Sequence, residues 1–560
     1  MFSFKKTDQP VIVYLILLTI VNLLQSYGTE LIFDEAYYWY YSQHLSWGYF
    51  DHPPMVALMA NIGEFLFPGE LGFRFMSPFL LSATFWVLWK IIEDYRKYDH
   101  ILLFCILTAS AGLLNVYGFF MLPDTPLIFF GLLFLYAYKK FLAHKNWKNT
   151  LLLGFCMAMI MYSKYQGILL IGFIVLSNLK LLLSKKFWIA IVVAFILFTP
   201  YLLWLYKVDF VPIKYHLIER GKDLYKINFT TDTLVNATAI FGFSFPLMYW
   251  AFFKEKANST FLKGLKVVLI GIVAFFILSS FSRRTQAQWF ILIAFPLIIF
   301  SYKYAFSHIK FRKWLFITGY ISIGVMLLLR VFMAFEEISP ISYETHGNKK
   351  WTAALQKKVG GIPVVFENSY RNASMYAFYT KSLNVFSFNN VEYRKNQYDI
   401  DSSEYKLEGK KIAFVSRTDH PDASNFFNVI LTHPKKSFQG FFVNDFKSYR
   451  KLKIYANPET IQKHKDTINF TIANPYQQNI NLNDIEFSSV LFNKKKHYLK
   501  TLPLQTLINS SAILKSNDTL TIKAIINYKA FTEETLYIRI GSAVKGFKPG
   551  FQGNMIKLNK

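Results

Sequence analysis

A chain of 560 residues that is 53% hydrophobic, 19% aromatic and only 17% charged is neither disordered nor purely soluble, because soluble proteins carry about 25% charged residues. Its net charge of +27 would mark a nucleic-acid binder only if the basic residues shared one polar surface, and they do not. Both cysteines, Cys105 and Cys156, lie in apolar runs, which excludes a disulfide framework and a structural Cys-zinc site.

Taken in chain order, eleven apolar stretches approach the roughly 20 residues that cross a bilayer. They run over about 10–28, 74–92, 101–121, 125–138, 150–163, 167–184, 187–206, 236–253, 266–282, 288–301 and 314–335. Lys5 and Lys6 precede the first, but no small-residue cleavage site follows it, so it is expected as a retained helix and not a signal peptide. Lys and Arg gather in alternate loops, as at Arg96–Lys97, Lys139–Lys140 and Lys310–Arg312–Lys313, while the long loop from Gly28 to Phe73 has neither. The positive-inside rule then puts the N-terminus in the cytoplasm, and an odd number of spans puts the C-terminal part outside.

Three units are expected: a membrane domain over 1–340, a small α/β domain over 341–456 and a β-rich domain over 457–560. In the second, apolar runs such as Pro363–Phe366 and Lys411–Val415 alternate with helical stretches, and in the third strand-like segments such as Thr467–Ile472 and Thr519–Ile526 suggest a β-sandwich.

Three features on the outer side carry chemistry. The first loop reads Phe33-Asp34-Glu35-Ala36-Tyr37-Tyr38-Trp39-Tyr40-Tyr41 and then Asp51-His52-Pro53-Pro54. Acids among aromatics at a membrane surface suit a general base or a divalent-cation ligand, and the same residues equally suit a helix cap with an interfacial anchor. The turn Leu122-Pro123-Asp124-Thr125-Pro126 brings another carboxylate to that side, again with capping as the simpler reading. Finally, Arg74, Lys164, Arg220, Arg283 and Arg284 stand against the inside bias, either to neutralise a phosphate or to snorkel to lipid headgroups. No Gly-rich nucleotide loop and no zinc-helix motif occurs in the sequence, so no nucleotide cofactor is expected.

The ordered set Asp34-Glu35, Asp51-His52-Pro53-Pro54, Arg74, Asp124-Thr125-Pro126 and Ser163-Lys164-Tyr165 resembles the GT-C glycosyltransferases of the protein-mannosyltransferase and lipid A aminoarabinose-transferase type. The resemblance implies a polytopic helical protein of a bacterial inner membrane with a periplasmic C-terminal region. Such a protein moves a sugar from a polyprenyl-phosphate carrier to a lipid, glycan or protein acceptor on the outer face, with inversion. It implies Asp34 as the base, supported by Glu35 and with Asp124 orienting acceptor or base. Asp51 falls where relatives have an acid implicated in metal binding. Lys164 and Arg220 match basic positions that contact the donor phosphate, with Arg283 and Arg284 on the same edge. His52 stands where the aminoarabinose branch has lysine, as a metal ligand or phosphate donor, so the chemistry is expected with or without a divalent metal ion. The segment Phe366–Ser374 also looks like one found after the membrane part of some bacterial relatives, at a strand-to-helix turn. The competing reading is a polyprenyl-lipid flippase or transporter, against which stands the lack of a detectable inverted repeat.

Overall fold

The computed structural model describes residues 6–219, 224–417, 420, 425–431, 436–462, 466–508 and 512–558. Two compact units result, Met1–Gly347 and Asn348–Lys560. The first continues past the expected limit at 340 because Thr345 Oγ1 and His346 Nε2 bond the carbonyls of Met333 and Phe332 at the end of the last long helix.

Among the described residues, seven helices of the first unit are long and apolar enough to cross a membrane: Lys6–Gly28, Gly69–Ile91, Asp124–Ala143, Lys185–Lys207, Thr260–Ser280, Ala287–Ser307 and Ile309–Ala334. An eighth counts if the bent pair Ile227–Ala239 and Gly242–Lys254 is one span. The chain is therefore a multi-pass membrane protein, and the three other predicted stretches are helical but shorter or broken. Over 101–121 the helix stops at Ala109 and restarts as Gly112–Val116. Asn115 makes that break tolerable inside a membrane protein, its Nδ2 donating to the carbonyls of Thr108, Ala109 and Ala111 that lipid could not satisfy. Trp147–Ser163 has 17 residues, and Gly167–Ser177 stops after 11. The bent pair turns by 101° where Gly242 takes φ +51°, a region that penalises a side chain. The turn is pinned by Phe243 N donating to Ser322 Oγ at 3.1 Å.

Between the first two spans the chain builds two short helices. With the first long helix as α1 (Gln9–Gly28), these are α2 (Phe33–Ser42) and α3 (Met55–Leu66). The aromatics Tyr37 to Tyr41 are all buried, so the loop is a packed lid edge and not a solvated connection. Glu64 of α3 clamps the end of α2, accepting from Trp39 Nε1, from Ser42 Oγ at 2.7 Å and from Gln43 Nε2 at 3.1 Å. Tyr41 stacks on Tyr49 with centroids 4.2 Å apart, which folds the loop carrying Asp51 back over α2.

In the second unit, strands β1 (Val364–Glu367), β2 (Val385–Phe388), β3 (Ile412–Ser416), β4 (Phe427–Leu431) and β5 (Lys436–Val443) form a sheet of order β2-β1-β3-β5-β4. Its first three strands are parallel and the other two antiparallel. The segment Phe366–Ser374 sits at the turn from β1 to the helix Tyr370–Thr380, with Asn368 at φ +51° and Ser369 capping the helix through Asn372 N. Two four-stranded antiparallel sheets follow, burying Phe470, Ile472, Phe487, Leu491, Ile522 and Ile538 in one core. The β-rich part opens with Lys453–Ala456, which pairs with Thr467–Ala473, a few residues before the expected boundary.

Glu408 lies beside this junction, with Oε1 accepting from Ser448 N at 3.0 Å. Burial, with the charge on Glu404 adding to it, pushes its carboxyl up to about 8, and burial likewise lifts Asp399 to about 6. A carboxyl that keeps its proton in the folded chain to higher pH than in the unfolded one stabilises the fold at low pH, and the benefit disappears as pH rises through the folded value. The thermal midpoint of this unit in the full chain, followed by near-ultraviolet circular dichroism, should therefore fall between about pH 5 and pH 8, and Glu408→Gln should flatten that fall.

Candidate active site

The candidate residues meet at one end of the membrane unit in three groups. In the first, Glu35 is fully buried and pairs with Arg74, which is also fully buried. Arg74 Nε donates to Glu35 Oε1 at 2.8 Å and Nη2 to Oε2, while its remaining donors take the carbonyls of Ser26, Thr29 and Glu30. The Glu35 oxygens also accept from Met121 N at 2.9 Å and Ile32 N at 3.2 Å. This knot fastens the end of α1, the first turn of α2 and the turn before Asp124. Helical geometry rotates the preceding residue by about 100°, so Asp34 projects from the same turn only half-buried. Across the turn, Glu344 Oε2 accepts from Phe33 N at 3.4 Å.

Asp124 and Lys164 form the second group. Lys164 Nζ lies 2.7 Å from both carboxylate oxygens, and both side chains are buried. Lys164 reaches Asp124 because its helix ends at Ser163 and its own backbone is extended. Between the first and second groups stands the buried Tyr117. Its phenol interacts electrostatically with both Asp124 and Asp34.

The third group is built around Asp51. Its Oδ1 accepts from Tyr41 Oη at 2.7 Å, and its carbonyl accepts from His216 Nε2 at 2.8 Å, which fixes the proton on that nitrogen. The His216 ring lies 6.3 Å from His52 and 5.3 Å from Tyr165, and Arg283 Nη1 donates to the His216 carbonyl at 3.4 Å. Tyr38 meets His52 edge-on at 5.3 Å. As Tyr41 is seven residues after Asp34 on α2, the first and third groups are about 10 Å apart along one helix.

Several placements differ from the sequence expectation. Arg74 serves Glu35 and backbone carbonyls, and Lys164 holds Asp124, so neither presents an uncompensated charge to a phosphate. Arg283 joins the Asp51 group, whereas its neighbour Arg284 turns to Asp232 at 2.9 Å. Arg220 lies outside the described residues. His216, Tyr117 and Glu344 were not singled out in the sequence. His216 alone had a signal there, standing four residues before Arg220 in the same loop.

Residues 51–204 match the family of dolichyl-phosphate-mannose-protein mannosyltransferases, PMT_2. The structure of ArnT from Cupriavidus metallidurans bound to undecaprenyl phosphate superposes with a TM-score of 0.56 at 13% identity, covering 78% of this chain and 98% of that one. The chain has the GT-C fold. The apo state of the same ArnT gives a TM-score of 0.56 at 12% identity with equal coverage. No curated protein matches the chain in sequence.

Within the GT-C frame, Asp51 is the residue to examine for a metal ion. Among the described residues no three His, Cys, Asp or Glu side chains converge. Asp51 Oδ1 already accepts from a tyrosine, and His216 spends Nε2 on the Asp51 carbonyl. These donors do not fit a divalent cation held by protein ligands alone.

Proposed function

We propose that this GT-C protein transfers a sugar from a polyprenyl-phosphate carrier to a lipid, glycan or protein acceptor on the outer face of a bacterial inner membrane. The observation that carries the reading is the meeting, at one end of a GT-C bundle, of a half-buried Asp34 with the Asp124–Lys164 pair and the Asp51–His52–His216–Arg283 group. In this reading Asp34 takes the proton from the acceptor hydroxyl or amine. The acceptor atom bonds to C1 of the sugar as the bond from C1 to the phosphate oxygen breaks, and that electron pair leaves on the polyprenyl phosphate. One displacement inverts C1 and needs no sugar-enzyme intermediate. Arg283 and His52 face the growing phosphate charge, which is electrostatic work suited to fixed donors. Asp124 and Lys164 stay a neutral pair that shapes the floor beside Asp34, while Glu35 positions Asp34 without touching substrate. Lys and Arg in the alternate loops support the outward orientation of this end.

The test uses the purified protein in vesicles loaded with polyprenyl-phosphate-linked sugars and an envelope extract as acceptor. Sugar should pass to extract components with release of polyprenyl phosphate, and mass spectrometry of the product names the acceptor. Movement of the intact carrier across the bilayer, with its sugar bond unbroken, would instead establish a transporter.

A further inference from the structure

Arg283 and Arg284 are adjacent in sequence but serve different surroundings. Arg283 donates to the His216 carbonyl. Arg284 pairs with Asp232 and lines a cavity of about 410 Å³ together with Asp232, Val235, Asn236, Thr285 and Gln286. Positions 232, 235 and 236 share one face of the helix Ile227–Ala239 by their spacing. The opposite wall is the turn between Thr260–Ser280 and Ala287–Ile293. That wall is fixed from beneath: Thr233 and Thr285 hydroxyls are 2.7 Å apart, Asn236 Nδ2 donates to the Thr285 carbonyl at 3.1 Å, and Thr230 meets Ser280 at 2.9 Å. The cavity is thus an open depression with a fixed floor and an exposed Arg284 at its rim, one residue along the chain from the Asp51 group.

Its chemistry selects a class of ligand. The guanidinium and carboxylate cancel, so a phosphate meets Asp232 and a cation meets Arg284 at equal cost, and neither gains net attraction. A neutral ring with several hydroxyls fits instead: carboxylate and amide oxygens accept from hydroxyls, guanidinium and amide N–H groups donate to them, and Val235 offers a small apolar patch. The volume lies within the range of about 300–1,000 Å³ usual for small-molecule sites. We propose that this cavity binds a neutral sugar ring and is the subsite for a glycan acceptor. That it serves the acceptor rests on the transfer reaction proposed above; that it binds a sugar does not.

The experiment is saturation-transfer NMR on the full chain in lipid nanodiscs with a panel of methyl hexosides and pentosides. At least one glycoside should take up saturation from the unsubstituted protein. Asp232→Asn should lower that signal by about tenfold, the weight of one hydrogen bond to a charged group. A double variant, Asp232→Arg with Arg284→Asp, separates binding from fastening, because it can re-form the ion pair with its ends exchanged. If the pair only fastens the turn, the swap restores the thermal midpoint and leaves any glycoside signal at its original level; if the pair binds sugar, the midpoint returns and the signal does not. No signal from any glycoside, an unchanged signal in Asp232→Asn, or a restored signal in the swap overturns the proposal. Asp34→Asn should keep the signal. Were that variant to transfer sugar normally, the assignment of the base would fall and the sugar site would stand.

Discussion

Asp34→Asn should reduce sugar transfer by about 10²–10⁴-fold, the usual contribution of a positioned general base, with no change in yield, membrane insertion or unfolding midpoint. The substitution preserves shape while removing the negative charge and the ability to take a proton. It is a clean probe because Asp34 is half-buried in the first turn of α2, and because the burden of holding that turn falls on Glu35. Asp124→Asn lacks this clarity, since it also strips Lys164 of its buried counter-charge. Measuring turnover and the thermal midpoint on one preparation checks the expectation, and an Asp34→Asn protein with normal turnover would remove Asp34 from the chemistry.

The second large effect is on stability. Arg74→Met should cost about 3–5 kcal/mol, the range for removing one partner of a buried ion pair. It leaves the Glu35 carboxylate fully buried and deprives the carbonyls of Ser26, Thr29 and Glu30 of their donors at the same time. Glu35→Gln in the same chain removes the stranded charge and should recover part of the loss. Denaturant unfolding in detergent, comparing both single variants and the double variant, measures the coupling; additive single effects would show that the pair is not the knot described here.

Much of this arrangement was legible in the sequence, because carboxylates, aromatics and a poverty of Lys and Arg mark one loop before any coordinates exist. What composition and order do not carry is orientation. Asp34 and Glu35 look alike in sequence, yet helical rotation leaves one half-buried and turns the other into Arg74. The same holds for Arg283 and Arg284. Asp124 and Lys164 are 40 residues apart, so nothing local announces that each is the other's partner and that Lys164 is already engaged. Apolar length predicted the stretch at 101–121 as one span, but it cannot see Asn115 feeding hydrogen bonds to three carbonyls at a break. The strand-to-helix turn at Phe366–Ser374 came from the family resemblance, and the structure supplies its cause: Asn368 takes the left-handed backbone and Ser369 caps the helix.

Arg330, near the end of the last long helix, donates from Nη2 to Asn22 Oδ1 of α1 at 2.8 Å and to the Asn115 carbonyl at 3.3 Å. A polar group on α1 thus finds its partner 308 residues further along the chain. A buried side-chain amide left without a partner costs free energy, and Arg330 supplies that partner to Asn22. The polar seam thus ties α1, the break at Asn115 and Ile309–Ala334 together, so that removing the guanidinium at position 330 loosens three segments far apart in sequence at once.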